Sequence, residues 1–290
     1  MPLPASVVRF LLESLSSRWE RPVKLLGAEP LLGGCINQVY KIETSVGFFC
    51  VKYNAAPPPS FFSCEAEGLL RLKESGFPHI PEVIFPAQEY FLTLEYLAPV
   101  SASSALWRKL GENLAQLHKN NLASAFGYPI NNYIGSVPQS NLPNSEDWAV
   151  FFITQRIEPL LRLCKNLWGR DIFLRFEKLF SRLENYFPPA APSLLHGDLW
   201  SGNVYFAAPA SPFLLDPAVY YGHPEAELAF THLFGGFAPA FYEGYYSVTP
   251  QEPGFSERIA LYNLYPLLVH AHLFGESYAQ EVIRVLKRFA

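Results

Sequence analysis

The stretch Ser193–Asn203, SLLHGDLWSGN, constrains this chain more than any other. It is the densest polar cluster in an apolar setting. Leu194-Leu195 lead in, Val204-Tyr205-Phe206 lead out, and His196, Asp198, Ser201 and Asn203 fall within eight residues. Thirteen residues after Asn203, the strand-like Phe213-Leu214-Leu215 delivers Asp216, with Pro217 behind it. Two aspartates and an asparagine carried on loops at strand ends suit magnesium, a hard cation that prefers carboxylate and amide oxygens. A plain Asp-Gly turn with capping side chains would explain GDxxxxN alone; the later Asp216 argues for chemistry.

An Asp five residues ahead of an Asn is also the spacing of a kinase catalytic loop. There the Asp accepts a hydroxyl proton, and the Asn and a later Asp hold metal. The N-terminal half supplies matching parts. Gly33-Gly34-Cys35-Ile36-Asn37 separates two strand-like runs, and backbone N–H groups in such a turn can approach phosphate. Lys52 ends the apolar run FFCVK, and a lysine there must find an anion, either phosphate or a helix carboxylate. Glu65 sits one helical turn before Leu69, placed to face the sheet and pair with Lys52, while Glu67 is expected to face water. Glycine turn, strand Lys, helix Glu, HGDxxxxN and a later Asp follow in the order that phosphoryl transfer needs.

Composition narrows the classes. Lys plus Arg is 22 against 26 Asp plus Glu, a formal charge of −4, which argues against nucleic-acid or anionic-membrane partners. Half of the 290 residues are hydrophobic and 16% are aromatic, so a large core can be buried. The four cysteines, at 35, 50, 64 and 164, form no CxxC pair and read as reduced cytosolic thiols. The first residues, MPLPASVVRFLLESL, show no basic region and no small-residue cleavage site. No apolar run reaches the roughly 20 residues needed to span a bilayer. A soluble cytoplasmic protein is expected.

Periodicity predicts a helix over Ser6–Trp19, then strands at Val23–Leu32, Gln38–Thr44 and Phe48–Tyr53. A helix at Ser60–Lys73 and strands at Val83–Phe85 and Tyr90–Tyr96 follow. Helices are predicted at Ser104–Asn120, Asp147–Leu167, Arg170–Tyr186, Glu225–Phe234, Pro239–Tyr246, Ser256–Phe274 and Tyr278–Phe289, with Val204–Ala207 and Phe213–Leu215 as the extended exceptions. This is an α+β chain: a small lobe on an antiparallel sheet (1–96), a linker (97–103) and a mostly helical lobe (104–290).

With these residues in view, the chain resembles the fructosamine 3-kinase (ketosamine 3-kinase) family, a branch of the aminoglycoside-phosphotransferase-like kinases. The likeness runs from about Leu31 to Tyr278. It is carried by GGCINQVYKI, FFCVKYN, FFSCEAEGLLRL, LTLEYL, LGENLAQLH, FGYPINNYIGSVPQSN, LLHGDLWSGNVYF and LLDPAVYYGH. The resemblance implies a two-lobed protein-kinase-like fold binding ATP and Mg²⁺ between the lobes. It implies phosphorylation of the 3-hydroxyl of a ketoamine, either a small molecule or a glycated protein lysine, as a deglycation repair. Lys52 then matches the phosphate-binding lysine, Glu65 its helix partner, Asp198 the catalytic base, and Asn203 and Asp216 the metal ligands. Gly33, Gly34, Cys35 and Asn37 cover the phosphates, and Glu95, Tyr96 and Leu97 form the hinge that meets adenine. Trp200, Asn131, Asn132 and His223 are candidates on the acceptor side. Cys35 is a redox candidate, able to link two chains into a dimer when oxidised; otherwise monomer and dimer both stand open.

The family often reads YYGHRExDLA where this chain has Pro224 and Glu227. Pro224 supplies no guanidinium fork and Glu227 is one methylene longer than Asp. Neither lies in the metal loop, so catalysis is expected to survive. His118 reads as a helix C-terminal cation or cap. His270 and His272 read as core or rim, and Phe237, Phe241 and Tyr242 as core or acceptor wall. Two other readings stay open: a kinase for aminoglycosides, choline or another amino alcohol, and a silent nucleotide-binding regulator.

Overall fold

A computed structural model of the chain describes residues 3–31 and 36–290. α1 (Ala5–Arg18) is followed by β1 (Leu25–Leu31), β2 (Gln38–Thr44), β3 (Gly47–Tyr53), α2 (Phe61–Glu74) and β4 (Phe91–Glu95). The four strands form one antiparallel sheet in chain order. β1 is the exposed edge, where Pro30 needs no ladder donor.

The period of two divides the sheet's side chains between its faces. Tyr40, Ile42, Phe49, Val51 and Phe91 meet Val7, Leu11 and Leu15 of α1 in a small core. Cys50, Leu92 and Leu94 point the other way and join a larger core that also takes the buried face of α2. The predicted strand at Val83–Phe85 is a single bridge, Val83 to Leu94, because its neighbours include Pro81 and Pro86.

The rest is mostly helical: α3 (Ser104–Asn120), the hairpin β5 (Asn132–Ile134) and β6 (Val137–Gln139), α4 (Trp148–Phe151), a π-helical turn (Phe152–Ile157), α5 (Glu158–Leu163) and α6 (Arg170–Phe180). Next come β7 (Ser193–Leu195), β8 (Val204–Ala207), β9 (Ser211–Leu214) and β10 (Tyr220–Gly222), then α7 (Pro224–Phe230), α8 (Pro239–Val248), α9 (Phe255–Tyr262), α10 (Leu264–Phe274) and α11 (Glu276–Phe289). The single helix predicted over Ser256–Phe274 breaks at Asn263, whose Nδ2 donates to the Ala229 carbonyl at 2.8 Å, with Pro266 just beyond. Asp147–Leu167 likewise splits around the π turn.

α3 and α8 cross at backbone contact. A Cβ on Gly111 would lie 2.0 Å from the Phe241 carbonyl, and one on Gly244 would lie 2.1 Å from that of Arg108. Only glycine fits this crossing. Among the described residues no helix is long and apolar enough to cross a membrane.

Candidate active site

The alternation of β3 puts Lys52 on the face shared with Cys50, turned toward α2. Its side chain is 8% exposed, and its Nζ lies 2.5 Å from Glu65 Oε1 and also pairs with the Asp216 carboxylate. A buried ammonium needs this much anionic company. Several contacts fix α2. A Cβ on Gly68 would lie 3.0 Å from Pro217, the residue after Asp216, so the helix rests on the segment that follows Asp216. Tyr128 donates its hydroxyl to Glu67 at 2.6 Å, and Arg71 donates to the Tyr221 hydroxyl. Glu67 thus corrects the expectation that it faces water: it is a strut between α2 and the helical lobe.

Two strand pairs bring the loops together. β7 pairs with β10 and β8 with β9, so the segments after Leu195 and after Leu214 emerge side by side. His196 is fully buried; its Nε2 donates to the Leu215 carbonyl at 2.8 Å while Nδ1 accepts the Asp198 N–H at 3.3 Å. Burial lowers its pKa and keeps it neutral for that double role. The Ala218 N–H donates to the His196 carbonyl at 2.8 Å and the Leu215 N–H to that of Asn203 at 2.9 Å. Gly197 has φ +85°, and a Cβ there would lie 2.0 Å from the Ala218 carbonyl, so glycine is obligatory.

Asn203 turns its Nδ2 toward the Asp198 carbonyl (2.8 Å) and Oδ2 (3.1 Å). Burial pushes the Asp198 carboxyl up to about 7; the Asn203 hydrogen bond opposes the shift and the nearby Glu227 charge adds to it. Behind the loop, buried Glu227 accepts the backbone N–H groups of His196 (3.1 Å) and Gly197 (2.7 Å). Burial alone would raise the Glu227 pKa, but His118, His196 and the Gly197 N–H outweigh it and hold the carboxyl below its ordinary value. His118 is 3% exposed and bridges Glu227 Oε2 to the Tyr245 hydroxyl, 2.9 Å on each side. The helix-cap expectation for His118 is therefore corrected. Its ring lies on the inward face of α3, which a position near the helix end did not reveal.

The metal assignment is compatible with the donor set. With Nδ2 spent on Asp198, the Asn203 amide oxygen has no protein donor among the described residues, and the Asp216 side chain is 47% exposed. A carboxylate and an amide oxygen at one cleft suit a hard cation. Asp216 has φ +55°, an uncommon backbone for a non-glycine residue, held between the tied Leu215 and Ala218.

Of the residues expected at the hinge, Glu95 already donates its N–H to the Glu82 carbonyl, whereas the backbones of Tyr96 and Leu97 carry no hydrogen bond to the other described residues. Asn37 accepts from Asn54 at 3.2 Å. Gly33, Gly34 and Cys35 lie outside the described residues. Of the acceptor-side candidates, Trp200 covers Gly202, where a Cβ would lie 2.3 Å from the indole. Its ring begins an aromatic series: Trp200 to Phe234 (6.0 Å), Phe234 to His270 (4.5 Å) and His270 to Tyr278 (5.0 Å). Asn131 is exposed and its Oδ1 accepts the Asn141 N–H at 2.7 Å. Asn132 is buried, donating to the Val219 carbonyl and accepting from Gln139 and Asn141. His223 is also buried, its Nε2 on the Pro188 carbonyl and its Nδ1 capping α7 through the Glu225 N–H. Pro224 follows as the first residue of that helix, a position where its missing donor costs nothing.

Comparison with known proteins gives the family and the fold. The family model described as fructosamine kinase matches residues 9–290. A Synechocystis protein named as a probable ketoamine kinase is 37% identical over 95% of this chain and 94% of its own length. The crystal structure of a candidate fructosamine-3-kinase from Haemophilus somnus superposes with a TM-score of 0.85 at 27% identity, covering 96% of each chain. An aminoglycoside phosphotransferase, APH(4)-Ia, solved as a thermostable variant with AMP-PNP and hygromycin B, shares the fold alone. Its TM-score is 0.64 at 16% identity, over 98% of each chain. This chain, a phosphotransferase acting on an alcohol group, belongs to the fructosamine kinase family.

Proposed function

We propose that the protein transfers the γ-phosphoryl group of ATP to the 3-hydroxyl of a ketoamine, a ribulosamine or fructosamine carried by a small amine or a glycated protein lysine. The carrying observation is the convergence of Lys52, Glu65 and Asp216 on one side with Asp198 and Asn203 on the other. Lys52 offers its ammonium to phosphate oxygens and Glu65 keeps it in place. The free backbones of Tyr96 and Leu97 meet the adenine edge, with 97–103 as the hinge between lobes. Asn203 orients Asp198, which accepts the hydroxyl proton as the acceptor oxygen bonds to phosphorus and the bond to ADP breaks. Asn203 Oδ1 and Asp216 would hold Mg²⁺, which neutralises phosphate charge when bound.

For the acceptor wall we favour Trp200, Phe234 and His270 over Asn132 and His223, whose polar atoms are already committed within the protein. The proposed place of action is the cytoplasm, where ATP is held, and the proposed role is repair of glycated amines. The test is ATP consumption with ribulosamine, fructosamine, aminoglycoside and choline acceptors. Turnover confined to the ketoamines supports the reading. Turnover of an aminoglycoside or choline instead, or of nothing, refutes it in favour of a related kinase or a silent binder.

A further inference from the structure

The NNYIGSVPQ stretch leads into a buried network that the transfer chemistry does not use. Arg156, on the π-helical turn, is fully buried, and its hydrogen bonds go to uncharged oxygens: the carbonyls of Ser140 and Gln155 and, at 2.8 Å, Asn141 Oδ1. Three rings share its charge, with the guanidinium carbon 3.9 Å from the Tyr220 centroid, 4.7 Å from Phe151 and 5.3 Å from Tyr265. Asn141 passes the chain on, donating to Asn132 Oδ1 at 2.9 Å. Gln139 donates to that same oxygen at 2.8 Å, and its own Oε1 accepts the Tyr265 hydroxyl at 2.7 Å.

The chain ends on two backbone carbonyls. Gln139 Nε2 donates to Ala218 and Asn132 Nδ2 donates to Val219, each at 2.9 Å. These residues stand two and three places after Asp216, whose φ is positive. The Ala218 N–H is tied at the same time to the His196 carbonyl. One dipeptide is thus gripped by the catalytic loop on one side and the amide network on the other. Among its described side-chain atoms the Arg156 Nε alone lacks a partner, so the network is otherwise satisfied and stiff, and a buried arginine with no carboxylate among the described residues is a costly way to gain stability alone.

We propose that Arg156, Asn141, Asn132, Gln139 and Tyr265 form a buried clamp on Ala218-Val219 that holds Asp216 at the metal position. The proposal rests on the reading of Asp216 as a metal ligand. Its members are positioning residues, acting through the backbone. Asn132 belongs to the clamp, not to the acceptor surface.

The test uses Mn²⁺ as a paramagnetic probe, titrated by EPR into the full chain with AMP-PNP, for wild type, Gln139→Met, Tyr265→Phe and Asp216→Ala. Tyr265→Phe keeps the ring over Arg156 and removes only the hydroxyl that orients Gln139, so it serves where Gln139→Met does not fold. Loss of a partner that orients a metal ligand weakens metal binding about tenfold, and that is the expected effect of Gln139→Met, with a smaller effect in the same direction for Tyr265→Phe. The Mg²⁺ concentration for half-maximal rate should rise in parallel while the acceptor KM stays put. Wild-type Mn²⁺ affinity in folded Gln139→Met and Tyr265→Phe, with affinity lost in Asp216→Ala, overturns the clamp and leaves the metal reading standing. Wild-type affinity in Asp216→Ala overturns both.

Discussion

Glu227 Oε1 accepts the backbone N–H of Gly197 at 2.7 Å, one residue before Asp198. The same carboxylate takes the His196 N–H and His118 Nε2, so a side chain on α7 fixes the path of the His196–Asn203 loop.

Replacing Glu227 separates that support from chemistry. Glu227→Ala leaves the buried His196 N–H, the part-buried Gly197 N–H and the buried His118 ring without their acceptor, a loss of about 3–5 kcal/mol. Urea unfolding should show that loss, and kcat should fall in any fraction that stays folded. Glu227→Asp should retain part of both. An alanine variant with wild-type stability and kcat would remove Glu227 from the support of the loop.

Stability should also depend on pH through His223. Burial, helped by Arg258 and His118 and opposed by Glu225 and the Pro188 carbonyl, drives its pKa down to about 4. The unfolded chain takes up that proton near pH 6.5 and the folded chain only near its lowered value. The contribution of about 3 kcal/mol is therefore complete above ~6.5 and is lost as pH falls through this window. Urea midpoints at pH 7.5 and 5 should differ less in His223→Gln than in wild type. Equal differences would place the titration elsewhere.

The described thiols should be poor redox targets. Burial pushes Cys50 up to about 11 against the pull of Lys52, pushes Cys164 up to about 11, and raises Cys64, so few thiolates form at neutral pH. In Cys35→Ala, mild peroxide should leave activity and the remaining thiol titre nearly unchanged. Loss of activity as fast as in wild type would mean that one of these three is the sensitive group.

The reach of the sequence follows the reach of local signals. β2, β3, α2 and α3 were legible because alternation, helical period and turn residues all lie within a few positions. The pairing of Lys52 with Glu65 was legible because both periods were. The short strands β5, β6, β7 and β10 were not, since three residues carry no period and owe their pairing to distant partners. The same limit hid the roles of Glu227, Glu67 and His118, whose partners lie 31, 61 and 109 residues away. Arg156 gave no signal at all: nothing local distinguishes an arginine surrounded by Tyr220, Phe151 and Tyr265 from one in water. A usable hint was present at Glu227, a charged residue within the apolar pattern of α7.

The most direct test of phosphoryl transfer to a ketoamine is NMR of the product formed from ATP and a ribulosamine by wild type and by Asp198→Asn. Only one hydroxyl can lie in line with the γ-phosphate while Asp198 reaches its proton. The expected product carries phosphate on the sugar O3, and the variant should bind ATP normally and turn over at least about 10²-fold more slowly. Phosphate on another oxygen, or an Asp198→Asn enzyme as fast as wild type, would contradict it.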